Sequence, residues 1–468
     1  GLRELPEATH LNTIQVLVEN HQACRRYSGI VISGVRVNES PDWLKNRLKS
    51  IGIRPINNIV DVTNFVLHEL GQPLHAFDAD KINGKKIIVK TCAEGQKFTT
   101  LDGIERVLKN TDLMICNASE PMCMAGIFGG MESGVNEKTN SIFLESAYFS
   151  PEFIRRSGKH HGLKTDASFR FERGTDPDMT LTALKRAANL VLELAGGVIS
   201  MDIVDIYPEK MTPYRVSFSY QNCNDLIGKE IDRALIKKII LQLGIEIETE
   251  GGDGLLLNVP RYKSDVTREV DVIEEVMRIY GYNNVEVSKN ISYTAFNESK
   301  NFSVALESKI NAVLEGFGFN EIMSLSLSKE SYYTENNSNV KLLNALSNDL
   351  NVLRSDMIFS GLEAIAYNCN RKNSDLKFFE IGRTYHQGDE EFKSYHELKH
   401  LTLFLTGDLF KENPHHLNKI ADFAYLKSTV VNLMDKCGIL NARSNESSYP
   451  HFDFGLRYEL NNKALVEL

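Results

Sequence analysis

The densest chemistry in this sequence is a run of carboxylates. Asp265 precedes Asp271, Glu274 and Glu275, and helical spacing puts the last three on nearly one face. An all-oxygen set of this kind suits magnesium, but an acidic run is more often just a solvated helix face. A second carboxylate, Glu145, sits inside Ile142-Phe143-Leu144-Glu145-Ser146-Ala147-Tyr148-Phe149, where period-two alternation groups it with Phe143, Ala147 and Phe149. It either turns inward and needs a hydrogen-bond partner, or belongs to an edge strand and points to water. His75 follows Pro73 on an extended segment, and a lone histidine is more often packed or solvated than catalytic. Ala125-Gly126-Ile127-Phe128-Gly129-Gly130, followed by Gly134, makes a glycine-rich turn whose backbone could approach a ligand and offer N–H donors. No lysine follows it as a phosphate loop would require, and a plain turn is an equal reading. No serine or cysteine stands in a triad context.

These groups need elements to position them. The apolar spacing through Ile59-Val60-Asp61-Val62-Thr63-Asn64-Phe65-Val66-Leu67 predicts a helix that Gly71-Gln72-Pro73 ends. Asp176-Pro177 starts a further helix through Leu181, Leu184, Leu190, Val191 and Leu194 that Gly196-Gly197 stops. Two β-rich runs, Thr13 to Val18 and Tyr27 to Val37, need partners from elsewhere, so residues 1–39 are expected to be the remnant of another domain. Residues 40–207 mix strands and helices. Residues 208–283 read as strand, helix, two strands across Gly251-Gly252-Asp253-Gly254, then a helix from Thr267 to Tyr280, an order that suits a small helical nucleic-acid-binding-like module. The polar stretch from Asn283 to about Lys300 reads as a linker. Beyond it a mixed domain, residues 284–468, is predicted to carry helices at Val304 to Leu314 and near Gly361 to Asn368. Its strands fall at Glu321 to Leu327, Leu376 to Tyr385 and His400 to Thr406. The whole is an α+β multidomain chain.

With 468 residues, 42% of them hydrophobic and 25% charged, the chain can bury roughly three cores. A net charge of -9 excludes a surface uniformly basic for nucleic acid, leaving room only for local contacts. Seven cysteines, an odd number without zinc or redox spacing, suit a reducing cytoplasm. No apolar run approaches the ~20 residues of a membrane span, and no membrane partner is expected.

The segment from Arg54-Pro55-Ile56-Asn57-Asn58 through Pro73-Leu74-His75-Ala76-Phe77-Asp78 resembles the editing domain of the phenylalanyl-tRNA synthetase β-subunit family, and the likeness continues along the chain. That resemblance implies an editing pocket in which His75, Thr63 and Asn64 position a hydrolytic water. Gly129 would form its wall, Glu145 would accept the hydrogen bond of a tyrosine para-hydroxyl, and Thr165 and Ala167 would shape the amino-acid site. Nearby His160, His161, Arg170 and Arg173 could meet the tRNA end, with solvated or structural roles favoured for each. Further, it implies that Asp265, Asp271, Glu274 and Glu275 hold Mg2+ shared with an α subunit.

Phe378-Phe379-Glu380-Ile381-Gly382-Arg383 resembles the second-motif strand of a class II synthetase domain, here a degenerate, antiparallel-sheet copy without adenylation chemistry, in which Arg383 is structural. The implied assembly is α2β2: α charges tRNA(Phe) using ATP, and β positions the tRNA and hydrolyses mischarged tyrosyl-tRNA(Phe). The alternative is a non-catalytic scaffold that binds only α and tRNA. The family's N-terminal tRNA-binding and C-terminal anticodon-binding domains have no counterpart here. Because the chain opens on Gly1 and ends on Leu-Val-Glu-Leu, a fragment is expected.

Overall fold

The strand Ser141–Phe149 is buried at every residue because both faces of its sheet are covered. It runs antiparallel to Cys24–Ser33 on one side and to Leu74–Asp78 on the other. The short strands Val198–Ile199 and Val204–Ile206 pair with the far edge of Cys24–Ser33. In the computed structural model, residues 3–287, 289–290, 292–293, 302–333, 338–389, 394–409 and 419–468 are described. They divide into two units, Gly1–Ile291 and Ser292–Leu468.

Alternation along these strands sends side chains to two cores. Ile30, Ile32, Ala76, Ile142 and Leu144 enter one, beneath the helices Asp42–Ser50, Asn58–Leu70 and Met179–Ala195. Tyr27, Val31, Phe77, Phe143, Ala147 and Phe149 enter the other, which a second sheet closes. That sheet runs in the order Gln15–Val18, Lys86–Thr91, Leu113–Cys116, Pro121–Met124 and Phe128–Gly129. Its first pair is parallel and the rest are antiparallel.

The two β-rich runs near the start therefore find their partners inside this fold. Val16 pairs with Ile87, and Gly29 lies opposite Glu145. The expectation that residues 1–39 are the remnant of another domain is corrected by these pairings: a strand with both faces covered has its neighbours far away in sequence, and the local pattern does not reveal them. The helix Asn58–Leu70 begins as its sequence demands. Asn57 accepts from the N–H groups of Ile59 and Val60, and Gly71, at φ 74, receives the chain in the left-handed conformation. Met179–Ala195 starts two residues beyond Asp176-Pro177, because the Asp176 carbonyl accepts from Met179 N–H and Arg26 takes the Pro177 carbonyl.

The next module has its own core. Three antiparallel strands, Tyr214–Ser219, Gly254–Val259 and Glu246–Glu250, carry the helices Tyr220–Ile227, Arg233–Gln242 and Glu269–Tyr280. The single helix expected after the first strand is two, broken at Gly228, whose φ is 75. Much of the expected linker, residues 288, 291 and 294–300, lies outside the described residues.

In the second unit, Leu376–Gln387 and Tyr395–Thr406 pair antiparallel along their whole length, and Asn320–Glu321 joins them in parallel. The helices Phe302–Gly316, Ile358–Cys369 and Phe423–Lys436 accompany them. The strand expected over Glu321 to Leu327 survives only as its two ends, Asn320–Glu321 and Leu327–Ser328. Mixed α+β architecture is thus present throughout. Among the described residues no helix is long and apolar enough to cross a membrane.

Candidate functional site

His75 and Glu145 are direct partners across neighbouring strands, so their side chains leave the sheet on one face. Glu145 is 5% exposed, inward-facing as one of the two sequence readings had it. Its Oε2 accepts a 2.9 Å hydrogen bond from the hydroxyl of Tyr27, a residue with no exposed surface. Burial pushes the Glu145 carboxyl up to about 8 against the opposing pull of that bond. Near neutral pH it is therefore mostly a protonated acid, able to donate as well as accept.

His75 packs its ring edge-on against Phe77, with centroids 4.5 Å apart. Burial lowers its pKa to about 4, so the imidazole is neutral at physiological pH. Its Nε2 is buried and has no hydrogen-bond partner among the described residues. A buried polar atom left unpaired costs stability, and such an atom beside a protonated carboxyl marks a place built to meet something else.

The glycine-rich segment supplies the wall. A Cβ at position 129 would stand 3.3 Å from His75 Cε1 and 2.8 Å from Leu101 Cδ1, so the backbone of Gly129 lies close against the imidazole. In the same hairpin the Ile127 carbonyl accepts a 2.9 Å bond from the Thr165 hydroxyl. Thr165 also caps the helix Asp166–Phe171 reciprocally with Ser168. Ala167, on that helix, packs against the core that Glu145's strand helps to form.

Thr63 and Asn64 stand apart from this group. Their helix turns Ile59, Val62 and Val66 into the core on the opposite sheet face. The Thr63 hydroxyl donates to the Val60 carbonyl at 2.7 Å, and neither residue hydrogen-bonds His75 or Glu145 among the described residues. Tyr27 was not singled out in the sequence, because an aromatic on an alternating strand looks like any core residue.

Three of the flanking basic residues, His161, Arg170 and Arg173, make contacts within the chain. His161 Nε2 lies 2.7 Å from Asp112 Oδ2, and Ser157 donates to the other Asp112 oxygen at 2.6 Å. Arg170 donates to the Asp166 carbonyl, and Arg173 lies 3.5 Å over the Phe169 ring.

The four carboxylates expected to hold Mg2+ do not fit a metal site within this chain. Among the described residues no three or more His, Cys, Asp or Glu side chains are placed to share an ion. Asp271 accepts from the Thr267 and Arg268 N–H groups and pairs with the Arg268 guanidinium, which holds its carboxyl below the usual range. Glu275 is taken by Arg278 at 2.9 Å and Lys263 at 2.6 Å. Arg268, Arg278 and Lys263 thus neutralise Asp271 and Glu275 within the chain, while Asp265 and Glu274 have no ion pair among the described residues. Asp271→Ala is accordingly expected to cost about 1 kcal/mol as a lost helix cap. Millimolar magnesium should leave the thermal midpoint of the parent chain unchanged; a magnesium-dependent rise of several degrees would restore the metal assignment.

In the second unit Arg383 pairs with Glu397 across the sheet in an exposed contact. The buried ionic contact there is between Arg354 and Glu380.

Three domain families match successive stretches: the B3/4 domain at residues 23–196, the tRNA synthetase B5 domain at 216–282, and the phenylalanyl tRNA synthetase beta chain CLM domain at 289–463. The first takes in the strand Cys24–Ser33, in accord with its pairing. The phenylalanine–tRNA ligase beta subunit of Bacteroides fragilis is 47% identical over 438 residues, covering 91% of this chain and 53% of that protein. That of Bacteroides thetaiotaomicron is 48% identical over 439 residues, with 91% and 53% covered. That of Protochlamydia amoebophila is 38% identical over 444 residues, with 92% and 54% covered. The chain spans about half the length of these relatives. An N-terminal fragment of the beta subunit from Pyrococcus horikoshii matches at 17% identity and a TM-score of 0.30, over 60% of this chain and 78% of that one, a likeness too slight to carry an argument.

Proposed function

Since the chain belongs to the family of phenylalanyl-tRNA synthetase beta subunits, we propose that its B3/4 domain hydrolyses tyrosine wrongly esterified to tRNA(Phe). In this reading it works in the cytoplasm within a phenylalanine–tRNA ligase, whose α subunit performs the ATP-dependent charging of tRNA(Phe). A pocket built for phenylalanine rejects an added hydroxyl by only about a hundredfold, whereas a site that hydrogen-bonds the hydroxyl discriminates by roughly 10⁴ or more. A second, hydroxyl-reading site supplies the missing selectivity.

The observation that carries the reading is the pairing of His75 and Glu145 on one buried sheet face, with Gly129 against the imidazole. Glu145 offers the hydroxyl reader: a phenylalanine ring would leave its second oxygen without a partner. Neutral His75, with a bare ring nitrogen, can hold a water by hydrogen bonding. An imidazole whose pKa is about 4 is a weak base near neutral pH, so its role is to orient the water rather than to remove its proton. Covalent catalysis is disfavoured at this site. Burial, and after it the charge of Glu145, pushes the thiols of Cys24 and Cys123 well above their ordinary range, leaving both inert. Thr165 and Ala167 would bound the side chain; Thr63 and Asn64, on the helix packed against the opposite sheet face, make no hydrogen bond to His75 or Glu145 among the described residues. Magnesium enters no step; any role for it at Asp265, Asp271, Glu274 and Glu275 would need ligands from the α subunit.

The direct test is deacylation of tyrosyl-tRNA(Phe) by the full-length protein assembled with its α subunit. An inactive assembly would leave the domain a scaffold. His75→Ala is expected to slow this hydrolysis tenfold or more while leaving the thermal midpoint unchanged or slightly raised, because it removes an unpaired buried nitrogen. Unfolding alongside the loss would instead make His75 a core residue.

A further inference from the structure

We infer that Tyr27 is the residue that aims Glu145, holding one carboxyl oxygen so that the other is presented to the hydroxyl of the substrate's side chain. The inference rests on the editing reading and names a positioning residue for it.

Tyr27 lies on the strand Cys24–Ser33, opposite Ala147 and diagonal to Glu145. Its ring is locked among the residues of the larger core, and its hydroxyl donates to Glu145 Oε2 at 2.9 Å. No described residue hydrogen-bonds Glu145 Oε1, and that oxygen keeps some accessible surface. Other neighbours confine the same side chain. His75 stands directly across on one strand. On the other is Gly29, where a Cβ would come within 2.2 Å of Phe143 Cζ, so the Phe143 ring occupies the place of the absent side chain. A glutamate has three rotatable side-chain bonds, and fixing them costs conformational entropy. Tyr27 and these walls fix them before substrate arrives, which is preorganisation.

A tyrosine that merely satisfied its own hydroxyl in the core would look the same in one respect: the bond to Glu145 would exist. It differs in what its removal does. Tyr27→Phe keeps the ring and deletes only the donor. In the full-length assembled enzyme, Tyr27→Phe, Glu145→Ala and the double variant are compared on tyrosyl- and phenylalanyl-tRNA(Phe). Tyr27→Phe is expected to lower kcat/KM for the tyrosyl ester about tenfold, the size of one lost hydrogen bond, chiefly through KM, with a much smaller loss for the phenylalanyl ester. On the Glu145→Ala background it should cause no further loss, since the two groups act as a unit. If the parent is active and Tyr27→Phe keeps its full tyrosine preference, loses both esters equally, or adds its loss to that of Glu145→Ala, the positioning role is overturned. If the parent itself does not hydrolyse the tyrosyl ester, the editing reading fails and takes this inference with it.

Discussion

Glu145→Ala in the assembled enzyme is expected to cut tyrosyl-tRNA(Phe) hydrolysis by roughly 10²-fold or more while leaving phenylalanine charging intact. The size follows from burial. A hydroxyl brought into this pocket leaves water, and without Glu145 it faces the apolar wall of Phe77 and Phe143 and loses the carboxyl that Tyr27 holds in place. The same variant carries a second, independent signature in stability. The carboxyl is raised from 4.5 to about 8 in the folded protein, so the native state holds a proton that the unfolded chain releases. Stability from this group is fully present below about 4.5, declines as pH rises, and is lost once pH passes about 8, where a bare carboxylate is trapped in the core. The interval corresponds to on the order of 5 kcal/mol. Glu145→Ala should therefore flatten the pH dependence of unfolding between those limits. Melts at pH 5 and pH 9 and a deacylation time course would read both effects. Undiminished deacylation would remove Glu145 from the site.

What the sequence showed and what it hid divide along sequence separation. Period-two alternation grouped Glu145 with Phe143, Ala147 and Phe149, and all three lie in one core. Helical spacing and Gly71 placed the helix Asn58–Leu70 almost to the residue. These are local signals. Thr165 and Ala167 entered only through a family resemblance, and the local pattern at His75 and Gly129 left their roles open, because what unites the four is a strand register and a hairpin contact between distant segments. Tyr27 shows the limit most clearly: its role depends on a partner 118 residues away. The acidic helix shows a different shortfall. Arg268 with Asp271, and Glu275 with Arg278, are spaced three residues apart and were legible as ion pairs. Counting acids without the bases beside them missed that Asp271 and Glu275 are ion-paired within this chain.

A comparable ionic contact, this time buried, governs the second unit, and the expected result there is the largest change in stability. Arg354 and Glu380 meet at 2.9 Å with side chains 4% and 3% exposed. Arg354 also donates to the Arg383 carbonyl and to Ser324, whose hydroxyl in turn donates to the second Glu380 oxygen. Each Glu380 oxygen accepts from another member of the network, Oε1 from Arg354 and Oε2 from Ser324. This supports reading the Phe378 to Arg383 strand as structural. Arg354→Met leaves Glu380 buried without its cation and should cost about 3–5 kcal/mol. Pairing it with Glu380→Leu removes the stranded charge, and burying two apolar side chains in place of the ions should recover most of the loss. Urea unfolding of the parent, the single and the double variant, followed by circular dichroism, measures both. If the single variant unfolds within about 1 kcal/mol of the parent, the pair behaves as an exposed contact would, and the network does not hold this unit together.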